Sequence, residues 1–288
     1  MRALCESFLY FCIYAFTGWL YETVLCSIAE RRWVNRGFLN GPLCPIYGFG
    51  ALLIILCLSP LKDSPLPLLF IAGAVLTCSL EYFTSYLMEK LFHARWWDYS
   101  KRRFNLAGRI CLEGALIFGV FSVLMLRIIH PPVASIVHRL ATPLVYALSV
   151  GVCALILADT ALTACHMLRL NGRLAEIQAA INGYTQWLEA QAAALKVQLS
   201  GQRNALLEQV EGKKGGLMGR AEALKAQIAS QFENSPFHSE RIAKLLSFRS
   251  YQDRRLFKAF PSLRSTRYGD AFEKLKDRAL SRRKDANQ

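Results

Sequence analysis

Residues 140–181 read LATPLVYALSVGVCALILADTALTACHMLRLNGRLAEIQAAI. Up to Leu168 the run carries a single formal charge, Asp159. It is long enough to cross a bilayer core, which takes about 20 apolar residues in a helix. From Leu170 the pattern changes without a helix breaker. Leu170, Leu174, Ile177, Ile181, Tyr184, Leu188 and Leu195 follow a 4-3 spacing interrupted at Gln191. That is the seam of a coiled coil or packed helical hairpin. The stretch therefore predicts a membrane span that continues as a cytosolic helix.

The whole chain divides at the same place. Of its 288 residues 53% are hydrophobic and 19% charged, with net charge +14. Residues 1–168 hold 13 Lys+Arg and 9 Asp+Glu, whereas residues 169–288 hold 22 and 12. An apolar part followed by a basic part excludes a single soluble domain, a secreted disulfide scaffold and a wholly disordered chain. Spans are predicted at 6–30, 42–59, 66–92, 108–129 and 140–168. The second is short, with Gly41, Pro42 and Pro45 at its start and Pro60 at its end. A re-entrant second segment would put the two basic loops on opposite faces. Arg31, Arg32 and Arg36, then Lys90, Arg95, Lys101, Arg102, Arg103 and Arg109, then Arg169 and Arg173 fall on one side with five full spans. The positive-inside rule sets the N-terminus outside and the C-terminus inside. Ser27-Ile28-Ala29 resembles a cleavage site, but Glu22 interrupts the apolar run and only Arg2 precedes it.

The predicted fold is all-α: a polytopic membrane bundle of five spans (1–168), a cytosolic coiled-coil-like hairpin (169–234) and a basic amphipathic tail (235–288). The hairpin turns at Gly212-Lys213-Lys214-Gly215-Gly216, and Leu217, Ala221, Leu224 and Ile228 restart the period. Residues 235–288 carry 14 Lys+Arg against 6 Asp+Glu, with helices predicted near 239–258 and 268–283. Such a tail suits anionic lipid headgroups, or is simply solvated and basic. No nucleic-acid motif accompanies the charge. The nine cysteines all lie before residue 169 without a C-x-x-C pair, so no metal, redox motif or cofactor is expected. There is no P-loop.

Polar residues inside the apolar runs carry the candidate chemistry. Glu22, Glu81, Glu89, Glu113 and Asp159 lie in the inner halves of their spans, and such residues cost about 2.5–3.5 kcal/mol each on insertion scales. Two readings stand: ion pairs that fix helix register, or an inward-facing polar vestibule. The 14 residues 35–48, NRGFLNGPLCPIYG, hold three glycines and two prolines. Non-helical backbone of this kind near a membrane must be buried in protein or line a cavity. A second loop runs from Arg95-Trp96-Trp97-Asp98-Tyr99 to Phe104-Asn105-Leu106-Ala107-Gly108-Arg109. Asn105 there is a candidate helix cap for span four. The candidate substrate-binding residues are Glu22, Asn35, Arg36, Glu81, Glu89, Asp98, Asn105, Arg109 and Glu113, with Glu22, Glu81 and Arg36 expected in one cluster.

Gly18-Trp19-x-x-Glu22, the 35–48 loop, Glu81-Tyr82, Glu89, Trp97-Asp98-Tyr99 and Phe104-Asn105-Leu106-x-Gly108-x-Ile110-Cys111-Leu112-Glu113 together resemble the type IV ABC-transporter permease family of CmpB-like bacterial membrane proteins. The resemblance covers about residues 5–135. It implies a multi-pass protein of the bacterial cell membrane, a transport component rather than an enzyme, and a separate ATPase subunit as partner. The inner loops carry no E-A-A…G coupling signature. A membrane enzyme acting on a lipid-linked substrate, and a scaffold or sensor recruiting partners through its cytosolic helices or as a homo-oligomer, are the alternatives. No G-x-S-x-G elbow or metal-ligand spacing supports the enzyme.

Overall fold

A computed structural model describes residues 1–209 and 251–280. The predicted hairpin turn at 212–216, the helix restarting at 217 and residues 239–250 of the tail lie outside them. The helices are α1 (Arg2–Glu30), α2 (Pro45–Leu58), α3 (Leu66–Phe92), α4 (Leu112–Leu124), α5 (His130–Arg139), α6 (Thr142–Gln209), α7 (Tyr251–Ala259) and α8 (Gly269–Leu280). Two-residue strands make two antiparallel pairs: β1 (Ala94–Arg95) with β4 (Arg264–Ser265), and β2 (Asn105–Leu106) with β3 (Ile110–Cys111). Four helical stretches are long and apolar enough to cross a membrane, and the shorter Pro45–Leu61 is apolar too.

Close packing follows from small residues. A Cβ on Gly18 would lie 2.3 Å from the Tyr47 ring, and one on Gly73 would lie 2.3 Å from Ser122. These glycines let α1 meet α2, and α3 meet α4, near backbone contact, which replaces the missing hydrophobic drive between helices in lipid.

The fourth apolar stretch differs from its expected bounds of 108–129. It starts at Leu112 and passes through a π-turn at Met125–Ile129 into α5. Pro131 and Pro132 follow the π-turn directly; their missing N–H groups leave carbonyls of the turn before without helical donors, and the π-turn is the local adjustment. The π-turn brings His130 Nδ1 to 3.1 Å from Tyr14 Oη.

One end of the bundle is closed by Arg2. Its guanidinium donates to Glu6 Oε1 (2.8 Å), Thr142 Oγ1 (2.7 Å) and His138 O (2.8 Å). At the other end stand the 31–44 and 93–111 loops together. Phe38 packs on Phe92 and Trp96, with ring centroids 5.5 and 5.2 Å apart. Asn171 of α6 donates to Phe92 O at 2.8 Å. α3 ends in a left-handed residue, His93 (φ 47°), whose carbonyl accepts from Thr266 N at 2.9 Å. The carbonyls of Phe92 and His93 at the end of α3 are thus satisfied by α6 and the C-terminal segment.

The first half of the 4-3 seam is filled by the chain itself. Leu170, Leu174 and Ile177 are buried with Leu256, Phe257, Leu263, Phe272 and Leu275 in one cluster that also holds Phe92 and Trp96. Each such aliphatic or aromatic side chain contributes about 1.5–3 kcal/mol on full burial. The apolar faces of α7 and α8 explain the arrangement: they are too short to persist alone and α6 offers a matching stripe. Residues 251–280 are therefore docked rather than free-standing.

Candidate functional site

The irregular 31–44 loop is held by side chains from α1 and α6, which take several of its backbone donors. Thr23 Oγ1 accepts from Arg36 N at 3.2 Å, and Ser27 Oγ from Val34 N at 3.0 Å. Asn35 Oδ1 accepts from Trp19 Nε1 at 2.7 Å, while its amide donates to Asn40 O at 3.3 Å. Asp159 takes hydrogen bonds from Gly41 N (2.8 Å), Asn40 N (3.1 Å), Asn40 Nδ2 (2.8 Å) and Thr163 Oγ1 (3.3 Å). Asp159 is thus the anchor of the loop, with both carboxylate oxygens taken by donors of the loop and of Thr163.

This frame positions Arg36 toward α1. Glu22 Oε2 lies 3.5 Å from Arg36 Nε, and Glu22 Oε1 accepts from Tyr47 Oη at 2.8 Å. The Arg36 guanidinium also stands 4.8 Å from the Phe260 ring centroid and donates to Ala259 O. Glu81 is buried and accepts from Tyr99 Oη at 3.2 Å. Among the described residues it has no cation within ion-pair distance, so it meets a hydroxyl rather than Arg36. Burial, and then the Glu81 and Glu22 carboxylates, push the Tyr99 phenol above its ordinary range. Glu22 with Arg36 and Tyr47 thus forms one bonded set, and Glu81 with Tyr99 a second.

A second cluster lies along the 93–111 loop. Glu89 pairs with Arg109 at 2.8 Å and Arg95 at 3.4 Å. Arg109 donates to Ser85 Oγ at 3.2 Å and stacks 5.6 Å from the Tyr82 and Tyr86 centroids. Asp98 joins the loop to the C-terminal segment through Arg264 at 2.9 Å. A hydrogen bond from Ser100, and then Arg264 and Arg95, hold the Asp98 carboxyl below its ordinary range. Asn105 closes the turn before β3: its amide donates to Arg102 O at 2.8 Å and its oxygen accepts from Gly108 N at 3.0 Å. The cap residue of α4 is Cys111, with no side-chain cap, so Asn105 is not the helix cap expected. Glu113 pairs with Arg102 at 2.8 Å with both side chains about three-fifths exposed, a contact worth about 0–1 kcal/mol.

The nine sequence-picked residues thus separate into Glu22, Asn35, Arg36 and Glu81; Glu89, Asp98 and Arg109; and the turn and surface residues Asn105 and Glu113. Tyr47 and Tyr99 belong to the first group and were visible only as motif members. Arg255 had no signal in a uniformly basic tail. It donates to Gly37 O (2.9 Å), Leu39 O (2.8 Å) and Phe38 O (2.9 Å). Among the described residues no group of three or more His, Cys, Asp or Glu could hold a metal ion.

The model of the family described as Putative ABC-transporter type IV matches residues 9–164. The chain belongs to that family. No curated protein and no solved structure matches it. The family match takes in the 35–48 loop, Glu22, Glu81 and the Asp159 anchor on α6, and so extends past residue 135, where the resemblance read from the motifs ends. The family name points to a membrane transport component and not to an enzyme. α7 and α8 lie outside the match.

Proposed function

We propose that this type IV family member is the membrane component of a transporter, and that it binds a polar solute at the Glu22–Arg36 pair with Tyr47, Glu81 and Tyr99. One observation carries the reading. Glu22 of α1 is shared between the Tyr47 phenol and the Arg36 guanidinium, and a second buried carboxylate, Glu81, meets the Tyr99 hydroxyl with no cation within ion-pair distance among the described residues. A register-fixing ion pair needs no second buried carboxylate, whereas a solute or cation site does. Five crossings with the N-terminus outside support it: the 31–44 and 93–111 loops share one end of the bundle and carry the basic residues. α2 with its 3-10 turn then spans a thin crossing of about 25 Å. The site faces the cytoplasm, and a separate ATPase subunit drives it.

A thermal-shift screen of the full-length protein against amino acids, sugars and inorganic ions tests the site. Solutes that stabilise the wild type should lose their effect in Glu22→Gln and Arg36→Ala and keep it in Glu113→Gln. Equal stabilisation of Glu22→Gln and wild type refutes the reading.

A further inference from the structure

Three buried side-chain nitrogens lack a hydrogen-bond partner among the described residues: Arg36 Nε, Trp96 Nε1 and Arg255 Nε. All three lie on one seam, where the α7 segment meets the 31–44 and 93–99 loops. Buried donors are satisfied almost everywhere in native proteins, so three orphans on one seam mark a contact that is closed but not optimised. We propose that the segment from Asp253 to Ser265 is an autoinhibitory gate, with Phe260 seated on Arg36 and Arg255 seated in the carbonyls of residues 37–39, that closes the Glu22–Arg36 site from the inner side. The gate rests on the functional reading of that site.

The contacts divide into guides and a plug. Asp253 sets the register of α7 on α6 through His166 (2.7 Å) and Arg173 (2.9 Å). The β1–β4 pairing sets its far end, with Ala94 opposite Ser265, and Ser262 Oγ donates to Trp96 O at 3.1 Å. Between these guides sits the plug. The Phe260 ring lies 4.8 Å from the Arg36 guanidinium and 4.9 Å, edge-on, from Trp96. Ala259 O takes a second donor of Arg36. Arg36 is thereby divided between Glu22 and the gate.

Arg255 makes the contact reversible. It is buried, and its acceptors are neutral carbonyls, so its desolvation is not offset by an adjacent anion in hydrogen-bond contact. Undocking returns Arg255 Nε and Trp96 Nε1 to water and frees the Arg36 donor held by Ala259 O, while Arg36 Nε already faces Glu22. The segment's closed state therefore combines a large apolar contact with a polar seam that gains on opening, which is the balance a two-state element requires.

Maleimide labelling of the full-length protein, followed at each cysteine by mass spectrometry, tests the gate. Cys44 lies under the loop with its thiol 3.2 Å from Arg36 O, and Cys78 is buried in α3 as a control. Arg255→Ala and Phe260→Ala should each raise Cys44 labelling by about tenfold or more, with Cys78 unchanged. A second variant carries Ala94→Cys with Ser265→Cys, a facing non-hydrogen-bonded pair whose Cα spacing of about 4.5 Å suits a disulfide. Oxidising it should lower Cys44 labelling by about tenfold relative to the reduced form. Wild-type Cys44 labelling in both single variants, or no change on oxidation, overturns the gate. If Arg255→Ala also exposes Cys78, the bundle has loosened and the oxidised pair decides alone by the same criterion. Cys44 protection that follows the gate while no solute binds leaves the gate standing and refutes the solute site instead.

Discussion

The two ends of the bundle use the same polar residue types to opposite effect. At the Arg2 end, the turns between helices are short and a guanidinium reaches one acceptor on its own helix and one on each of two neighbouring helices. At the loop end, carboxylates in the helices are spent on long loops, one of them lacks a cation, and donors stay unpartnered. The first arrangement closes a structure. The second holds groups in place while leaving some of their bonding capacity free, which is the difference the proposed solute site rests on.

Breaking the loop anchor should have the largest effect. Asp159→Ala removes an acceptor of two backbone N–H groups and is expected to destabilise by about 2–3 kcal/mol, read by thermal unfolding. Arg2→Ala, at a guanidinium that is 38% exposed, should cost about 1 kcal/mol. Equal losses would erase the contrast between the ends. Next, Glu22→Gln and Arg36→Ala should couple by about 0.5–2 kcal/mol in a double-mutant cycle; strict additivity would separate them.

Glu81→Gln sharpens the comparison by its sign. It keeps shape and removes an unpaired buried charge, so stability should rise by about 1 kcal/mol while solute binding falls. A destabilised variant would mean that the charge is structural. The seam at Asp98 predicts a pH effect. Its carboxyl is held low in the folded protein, so its contribution is complete above the ordinary unfolded value of about 3.9 and is lost as pH falls through the lowered folded value. Hydrogen exchange at Arg264 and Thr266, relative to the intrinsic rate, should accelerate in that acid range, and Asp98→Asn should abolish the dependence. Smallest of all, Glu113→Gln should shift stability by less than about 0.5 kcal/mol.

The apolar runs and the Glu22–Arg36 pairing were legible because each depends on local chemistry: hydropathy over 20 residues, or a cation on a stiff loop near an acid. The roles of Asp159 and Asn105 were not. Both are polar residues beside a span, and their partners are backbone N–H groups whose position only the folded loop determines. The seam on α6 reads as a surface for the helix restarting at 217, which lies outside the described residues; that Leu170, Leu174 and Ile177 instead pack on residues 251–280 depends on a long return of the chain that no periodicity encodes. The π-turn before His130 left no trace either, since Met125–Ile129 reads as ordinary apolar helix.

α6 has a mechanical consequence. At 1.5 Å per residue its 68 residues make a rod of about 100 Å. Along that rod sit the anchor of the 31–44 loop at Asp159 and Thr163, then the docking stripe for α7 and α8 at Leu170 to Ile177. A torque applied near Gln209 is delivered to both in a fixed order, the stripe before the anchor. Beyond the anchor the rod carries Gly172, Gly183 and Gly201, none of which has an atom of the described residues within 4 Å of where a Cβ would stand. They serve no close contact, and each softens the helix by about 0.5–1 kcal/mol relative to alanine. Whatever pulls on the distal helix works through a lever whose stiffness is written at those three positions.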